Sequence, residues 1–242
     1  MFITDKIKKG LDDYLEFDSN IIFKAGDPLI FGGSLRDIIA GKEIHDVDII
    51  VGPDSFRPLF NLLDSLGWTN FEGLYPKDIS NLYTDIKIIS EPVTFIKDKK
   101  IIQLIRPVYI TGLDKRRKKP QITEEYKEVV FDLVSNVDLS PCGIAWDSNF
   151  LYECFPNAIV HAQLGVYFEN KFAKMRTESR IIHRKVKLEN RGWKPIYNLK
   201  DLRDVKIQII TTEDDIYLDP KIKKIQNGNN SIQEVTGGKV WR

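Results

Sequence analysis

Cysteine and histidine are scarce in this 242-residue sequence, at two and three residues. Cys142 and Cys154 are too few for a disulfide framework and lack the spacing of a four-ligand zinc site, so both are expected to be small buried hydrophobes. His161 and His183 have no third ligand at metal-like spacing, and His45 reads as a strand-end hydrogen-bonding group. No run of about 18 apolar residues that could span a bilayer occurs, and no membrane partner is expected. The opening MFITDKIKKGLDDYLEF mixes acids and bases without the apolar stretch of a signal peptide, so an intracellular, cytoplasmic protein is expected. Internal repeats and low-complexity segments are absent. Net charge is nearly so, at +1, which by itself selects no partner. What remains is ordinary for a globular chain: 42% hydrophobic and 29% charged residues, enough for one large domain or a domain with an appendage.

Along the chain, Ile7, Leu11, Tyr14 and Leu15 predict an amphipathic helix within residues 3–18. Ile44 to Val51 is rich in β-branched residues and is stopped by Gly52-Pro53, which describes a strand. Phe56, Leu59, Phe60, Leu63 and Leu66 form a helical stripe ended by Gly67. Apolar pieces follow at Ile86–Ile89, Val93–Ile96 and Ile101–Ile105, the last two separated by KDKK and so read as a hairpin. Residues 114–120, DKRRKKP, read as a basic surface loop. A strand is expected within 128–147, leading into a connection that carries Pro141 and Gly143. Another is expected over Phe150–Phe155, with a helix from Ala158 onward. Between Lys171 and Arg203 stand eleven Lys or Arg against three acids, the main charge asymmetry of the chain. From Thr211 the sequence turns polar and turn-rich, and it is expected to be flexible unless Val240 and Trp241 dock on the body. Trp68, Trp146 and Trp193 read as packing residues.

The most informative stretch is Phe31 to Gly52, FGGSLRDIIAGKEIHDVDIIVG. Asp46 and Asp48 lie two apart on the expected strand, so their carboxylates share a face. Two carboxylates so close repel unless a cation lies between them, and hard oxygen ligands suit Mg²⁺ or Mn²⁺. Fourteen residues earlier, Gly32-Gly33-Ser34 leads into LRDIIAG, whose Leu35, Ile38 and Ile39 are helically spaced. A glycine pair at a helix N-terminus lets backbone N–H groups and a serine hydroxyl approach phosphate oxygens. Arg36 and Asp37 could contact phosphate or serve the local structure. Metal-bearing strand and phosphate-gripping turn together are what a nucleotidyl transfer site requires.

These residues, GGSLRD followed by HDVDI, resemble the poly(A) polymerase and CCA-adding tRNA nucleotidyltransferase branch of the polymerase-beta-like nucleotidyltransferase superfamily, whose signature is GG-x-x-RD followed by D-x-D. Asp138 to Asp147, DLSPCGIAWD, is similar to the family's second motif. Arg180-Ile181-Ile182 and Arg191-Gly192-Trp193 resemble its arginine-bearing neck helix. The resemblance implies an α+β nucleotidyltransferase fold, a mixed and mostly antiparallel sheet flanked by helices and followed by a short helical neck. It divides the chain into a head (1–157), a basic neck (158–203) and a C-terminal extension (204–242). It further implies that Asp46 and Asp48 are catalytic and hold the metal, and that Gly32, Gly33, Ser34, Arg36, Asp37, Asp138 and Arg180 serve the nucleotide.

The expected activity is transfer of NMP from an NTP, ATP favoured, to an acceptor hydroxyl, RNA foremost, with release of pyrophosphate. Nucleotidylation of a protein or small molecule, and a head domain that binds without chemistry, are the alternatives. Departures from the family pattern bear on that choice. Asn136 and Val137 stand where arginines are usual, and Cys142 replaces an asparagine. Arg176-Thr177-Glu178-Ser179-Arg180 keeps only the last residue of the base-templating motif. Gln103 stands where a third carboxylate is common.

Overall fold

The computed structural model describes residues 2–71, 88–109, 134, 137–171, 173, 178–197 and 216–218. The basic loop 114–120, Val240 and Trp241 lie outside them, as do Asn136, Arg176 and Thr177.

Helix α1 (Ile3–Leu15) buries Ile3, Ile7, Leu11 and Leu15, a four-residue spacing that keeps one stripe against the core. It stops at Glu16, whose left-handed backbone lets its N–H bond the Asp12 carbonyl. A short helix α2 (Asn20–Lys24) leads to strand β1 (Leu29–Phe31), and β1 runs directly into helix α3 (Gly33–Ala40). Ser34 to Ile39 are all buried, so α3 is a central helix. It ends at Gly41, whose φ of 68° returns its N–H to the Asp37 and Ile38 carbonyls. Strand β2 (Asp46–Ile50), helix α4 (Pro53–Ser65) and strand β3 (Thr69–Asn70) follow.

Strands β4 (Ile88–Lys97) and β5 (Lys100–Tyr109) form the expected hairpin, turned at Asp98 and Lys99 with φ of 48° and 71°. After them come β6 (Ile144–Trp146), β7 (Leu151–Glu153), α5 (Ala158–Leu164), β8 (Val166–Phe168), α6 (Glu178–Glu189), β9 (Lys194–Ile196) and β10 (Ile216–Leu218).

Among the described residues, eight strands form one sheet in the order β10-β7-β6-β1-β2-β5-β4-β3. Of these pairings β2–β5 and β10–β7 are parallel and the other five are antiparallel. This is the mixed, mostly antiparallel α+β sheet flanked by helices expected from the sequence. A separate parallel pair, β8–β9, brackets α6.

Alternation along β2 divides the molecule. Val47 and Ile49 join Leu11, Leu35, Leu59 and Leu63 in the main core. Ile50, pointing to the opposite face, joins Leu29, Ala145 and Cys154 in a smaller cluster. Asp46 and Asp48 share that second face. Trp68, Trp146 and Trp193 are all core residues, as their packing reading required. Among the described residues no helix is long and apolar enough to cross a membrane.

Two expectations are corrected. Strand β2 begins at Asp46 rather than Ile44, because the His45 carbonyl accepts a hydrogen bond from the Tyr14 hydroxyl at 2.8 Å. The strand sought within 128–147 lies, among the described residues, after the Pro141 connection at Ile144–Trp146. Ser140–Cys142 is a 3-10 turn and Val134 is helical. Proline cannot donate to a sheet ladder, so it sits in the turn that delivers the strand.

Candidate functional site

Gly32 joins β1 to α3 with φ 79° and ψ −130°, a backbone region open in practice only to glycine. Its N–H donates to the Ile144 carbonyl at 2.9 Å, which fixes the turn to β6. A Cβ added there would stand 3.8 Å from Asp48 Oδ2. Backbone conformation rather than crowding therefore selects glycine, and the turn lies directly beside the Asp48 carboxylate. Gly33 has an ordinary φ, and the nearest neighbour of a Cβ added there would be the Arg36 guanidinium at 3.5 Å. The first N–H groups of α3 have no partner within the helix, as at any helix start. Ser34 is enclosed in that first turn, its hydroxyl without a hydrogen-bond partner among the described residues.

Asp46 stands opposite Ile101 on β5, and Asp48 stands between Phe31 on β1 and Gln103 on β5. Gln103 in turn pairs with Thr94 on β4, so Asp48, Gln103 and Thr94 form a polar row across the sheet. Asp48 keeps some exposed surface, but its Oδ1 is enclosed and has no hydrogen-bond partner among the described residues. Burial pushes its pKa up to about 7, and the Asp46 carboxylate adds to the rise. Arg184, Lys187 and Arg36 pull the other way without cancelling it.

The next residues of the signature turn inward. Arg36 donates to both carboxylate oxygens of Asp37, at 2.8 and 2.7 Å, and to Cys142 Sγ at 3.2 Å. Its guanidinium also lies 5.2 Å from the centre of the Trp193 ring. Both members of the pair are buried. A second arginine, Arg191, reaches Asp37 Oδ2 at 3.5 Å, while Lys42 donates to the Arg191 carbonyl at 2.8 Å. The turn after α6 is thereby fastened to α3.

Asp138 is buried and accepts from Arg184 Nη1 at 2.6 Å. Arg180, half-buried, precedes Arg184 by one turn of α6. Lys185, on the same helix, is engaged by Glu169 at 2.9 Å. His45 is exposed, and His161 is fully buried with Nδ1 2.7 Å from Ser140 Oγ.

The structure thus brings Gly32, Asp46 and Asp48 to one place, where the charges of Arg184 and Lys187 favour the ionised form of Asp48. Arg36 and Asp37 are sealed beneath it. Sequence reasoning missed Lys42 as a partner of the Arg191 turn and Thr94 as the end of the polar row. Neither carried a signal, because only long-range packing brings them there.

Two carboxylates on one strand face, one with an enclosed and unpartnered oxygen, fit a hard divalent cation such as Mg²⁺ or Mn²⁺ that keeps several waters. No cluster of three His, Cys, Asp or Glu occurs among the described residues, so two carboxylates are the acidic ligands available there.

No protein-family profile matches the sequence, and no curated protein matches it. Solved structures do match in fold. A CCA-adding enzyme in complex with CTP aligns over 84% of this chain and 45% of its own, with TM-score 0.51 and 13% identity. The apo form of a CCA-adding enzyme aligns over 81% of this chain and 44% of its own, with TM-score 0.51 and 15% identity. The chain shares the fold of the matched part of those CCA-adding enzymes. This chain spans less than half the length of those structures.

Proposed function

We propose that this chain is a metal-dependent nucleotidyltransferase that moves NMP from an NTP, ATP favoured, to an acceptor hydroxyl on RNA and releases pyrophosphate. The observation that carries the proposal is the Asp46/Asp48 pair, with its unpartnered Oδ1, beside the Gly32 turn that opens α3. Likeness in fold to a CCA-adding enzyme in complex with CTP supports the substrate class. Asp46 and Asp48 would hold Mg²⁺ or Mn²⁺, which when bound supplies charge neutralisation at the reacting phosphate. The amides of Gly33 and Ser34 at the start of α3 would bind phosphate oxygens, and the Gly32 turn would aim them. Arg36 and Asp37 would act from beneath, holding the helix that carries those amides. The α6 cations would neutralise phosphate charge.

A second reading, a head that binds nucleotide without transfer, draws on the polar row. A neutral Gln103 sits beside Asp48 where a carboxylate would strengthen the metal site.

Incubation with each labelled NTP, Mg²⁺ and tRNA or oligo-RNA tests both readings. Expected is labelled RNA with the parent protein and none with Asp46→Ala or Asp48→Ala. Transfer to protein instead of RNA would move the acceptor class, and nucleotide binding with no transfer to any acceptor would establish the second reading.

A further inference from the structure

The two carboxylates of the site are not held alike. Asp48 lies inside the sheet, paired with Phe31 of β1 on one side and with Gln103 of β5 on the other. Asp46 is the first residue of β2, and among the described residues it pairs with Ile101 of β5 alone, because β1 ends at Phe31 opposite Asp48. No hydrogen bond or ion pair holds its carboxylate among the described residues. Segments at the ends of elements are the first to open in a native chain. The placement of Asp46 therefore depends on what else grips the start of β2.

That grip comes from α1. The Tyr14 hydroxyl accepts from the Ile101 N–H at 2.8 Å and donates to the His45 carbonyl at 2.8 Å. One oxygen thus ties the residue before Asp46 to the residue opposite it. Tyr14 is half-buried against the main core, on a helix anchored by the buried Ile3, Ile7, Leu11 and Leu15. The Lys100 ammonium lies 5.8 Å from the centre of the Tyr14 ring and pairs with Glu16. Helix α1 is fastened twice to the start of β5, by a hydroxyl that also reaches β2 and by an ion pair that does not.

We propose that Tyr14 is the positioning residue for Asp46: its hydroxyl holds the open end of β2 so that the Asp46 carboxylate stays in place beside Asp48 for a shared divalent cation. The inference rests on the metal-dependent reading of the site and adds to it a residue from outside the glycine and aspartate signature. Groups that orient a metal ligand from behind set affinity by about tenfold or more. Here the lever is the backbone, since the carboxylate has no side-chain partner to orient it. A hydroxyl that served the fold alone would lower stability without changing how the two carboxylates take a cation.

Tyr14→Phe keeps the ring and removes the hydroxyl. In the metal-free full chain, the amide hydrogens of residues 45–48 should then exchange about fivefold faster or more, while those of α3 keep the parent rate. Titration with Mn²⁺, read by the spin resonance of the free ion, should show affinity about tenfold weaker than the parent's, with Asp46→Ala as the baseline. Glu16→Gln breaks the ion pair and leaves the hydroxyl, so both readings should stay at parent values.

Equal Mn²⁺ affinity in Tyr14→Phe and the parent overturns the proposal. Equal weakening by Glu16→Gln does so too, because it makes the effect a general loosening of α1. Should Tyr14→Phe not fold, the parent decides: slow exchange of residues 45–48 without metal is the expected result, and exchange as fast as in an exposed loop overturns the grip. Mn²⁺ binding that weakens in Tyr14→Phe, in a parent that transfers nucleotide to no acceptor, sinks the transfer reading and leaves the role of Tyr14 standing. Transfer by the parent, with unweakened Mn²⁺ binding in Tyr14→Phe, sinks that role alone. A parent that binds Mn²⁺ no better than Asp46→Ala sinks both.

Discussion

Arg191 and Asp37 stand 154 residues apart in the chain and 3.5 Å apart in the fold, Nη1 to Oδ2. Asp37 also accepts both bonds of the Arg36 fork, so one buried carboxylate joins the helix that follows the glycine turn to the turn that ends α6. Asp37→Ala leaves Arg36 charged and buried without its partner. A loss of about 3–5 kcal/mol is expected by denaturant unfolding. The double variant Arg36→Met with Asp37→Leu should recover much of that loss, because it removes both charges together; an equal loss in both variants would show that the pair does not matter as a pair.

Gly32 and Gly33 are expected to part company under substitution. Gly32→Ala forces a side chain into φ 79°, ψ −130° and should cost about 1–3 kcal/mol while displacing the start of α3. Gly33→Ala keeps an ordinary backbone and should change stability by less than about 1 kcal/mol. Thermal unfolding of the two variants side by side checks the contrast, and equal effects would contradict it.

Asp48 is placed for charge rather than for stability. Its pKa in the fold is about 7 against 3.8 for a free aspartate, so between those values the folded state binds the extra proton and stability falls as pH rises. In EDTA at pH 8, Asp48→Asn should therefore be more stable than the parent, on the order of 2–4 kcal/mol, and the gain should vanish below pH 4. Mg²⁺ should stabilise the parent and not the variant. A variant less stable than the parent at pH 8 would contradict this account.

His161 gives the opposite slope. Burial lowers its pKa to about 4 from 6.5, so the unfolded chain binds the proton first as pH falls. Stability should drop between pH 6.5 and 4 by on the order of 3 kcal/mol from this group. His161→Gln should flatten that part of the pH profile, and an unchanged slope would assign the acid sensitivity elsewhere.

What the sequence determined by itself is local. The four-residue spacing of Ile3, Ile7, Leu11 and Leu15 selects α1, the break at KDKK selects the β4–β5 hairpin, and a spacing of two puts Asp46 and Asp48 on one face. Each follows from the period of a helix or strand, which needs only near neighbours. Where β2 begins was not legible, because the Tyr14 hydroxyl takes the His45 carbonyl from another element.

The roles within the signature were illegible for the same reason. Arg36 read equally as a phosphate contact or a structural residue, yet it is turned onto Asp37, Cys142 and Trp193, while Arg184, held by Asp138, keeps part of its side chain exposed. Only tertiary packing decides which cations are spent inside and which remain free for a ligand. The Arg36–Cys142 and Asp37–Arg191 contacts join residues more than 100 positions apart, and no periodicity in the chain encodes the distance between them.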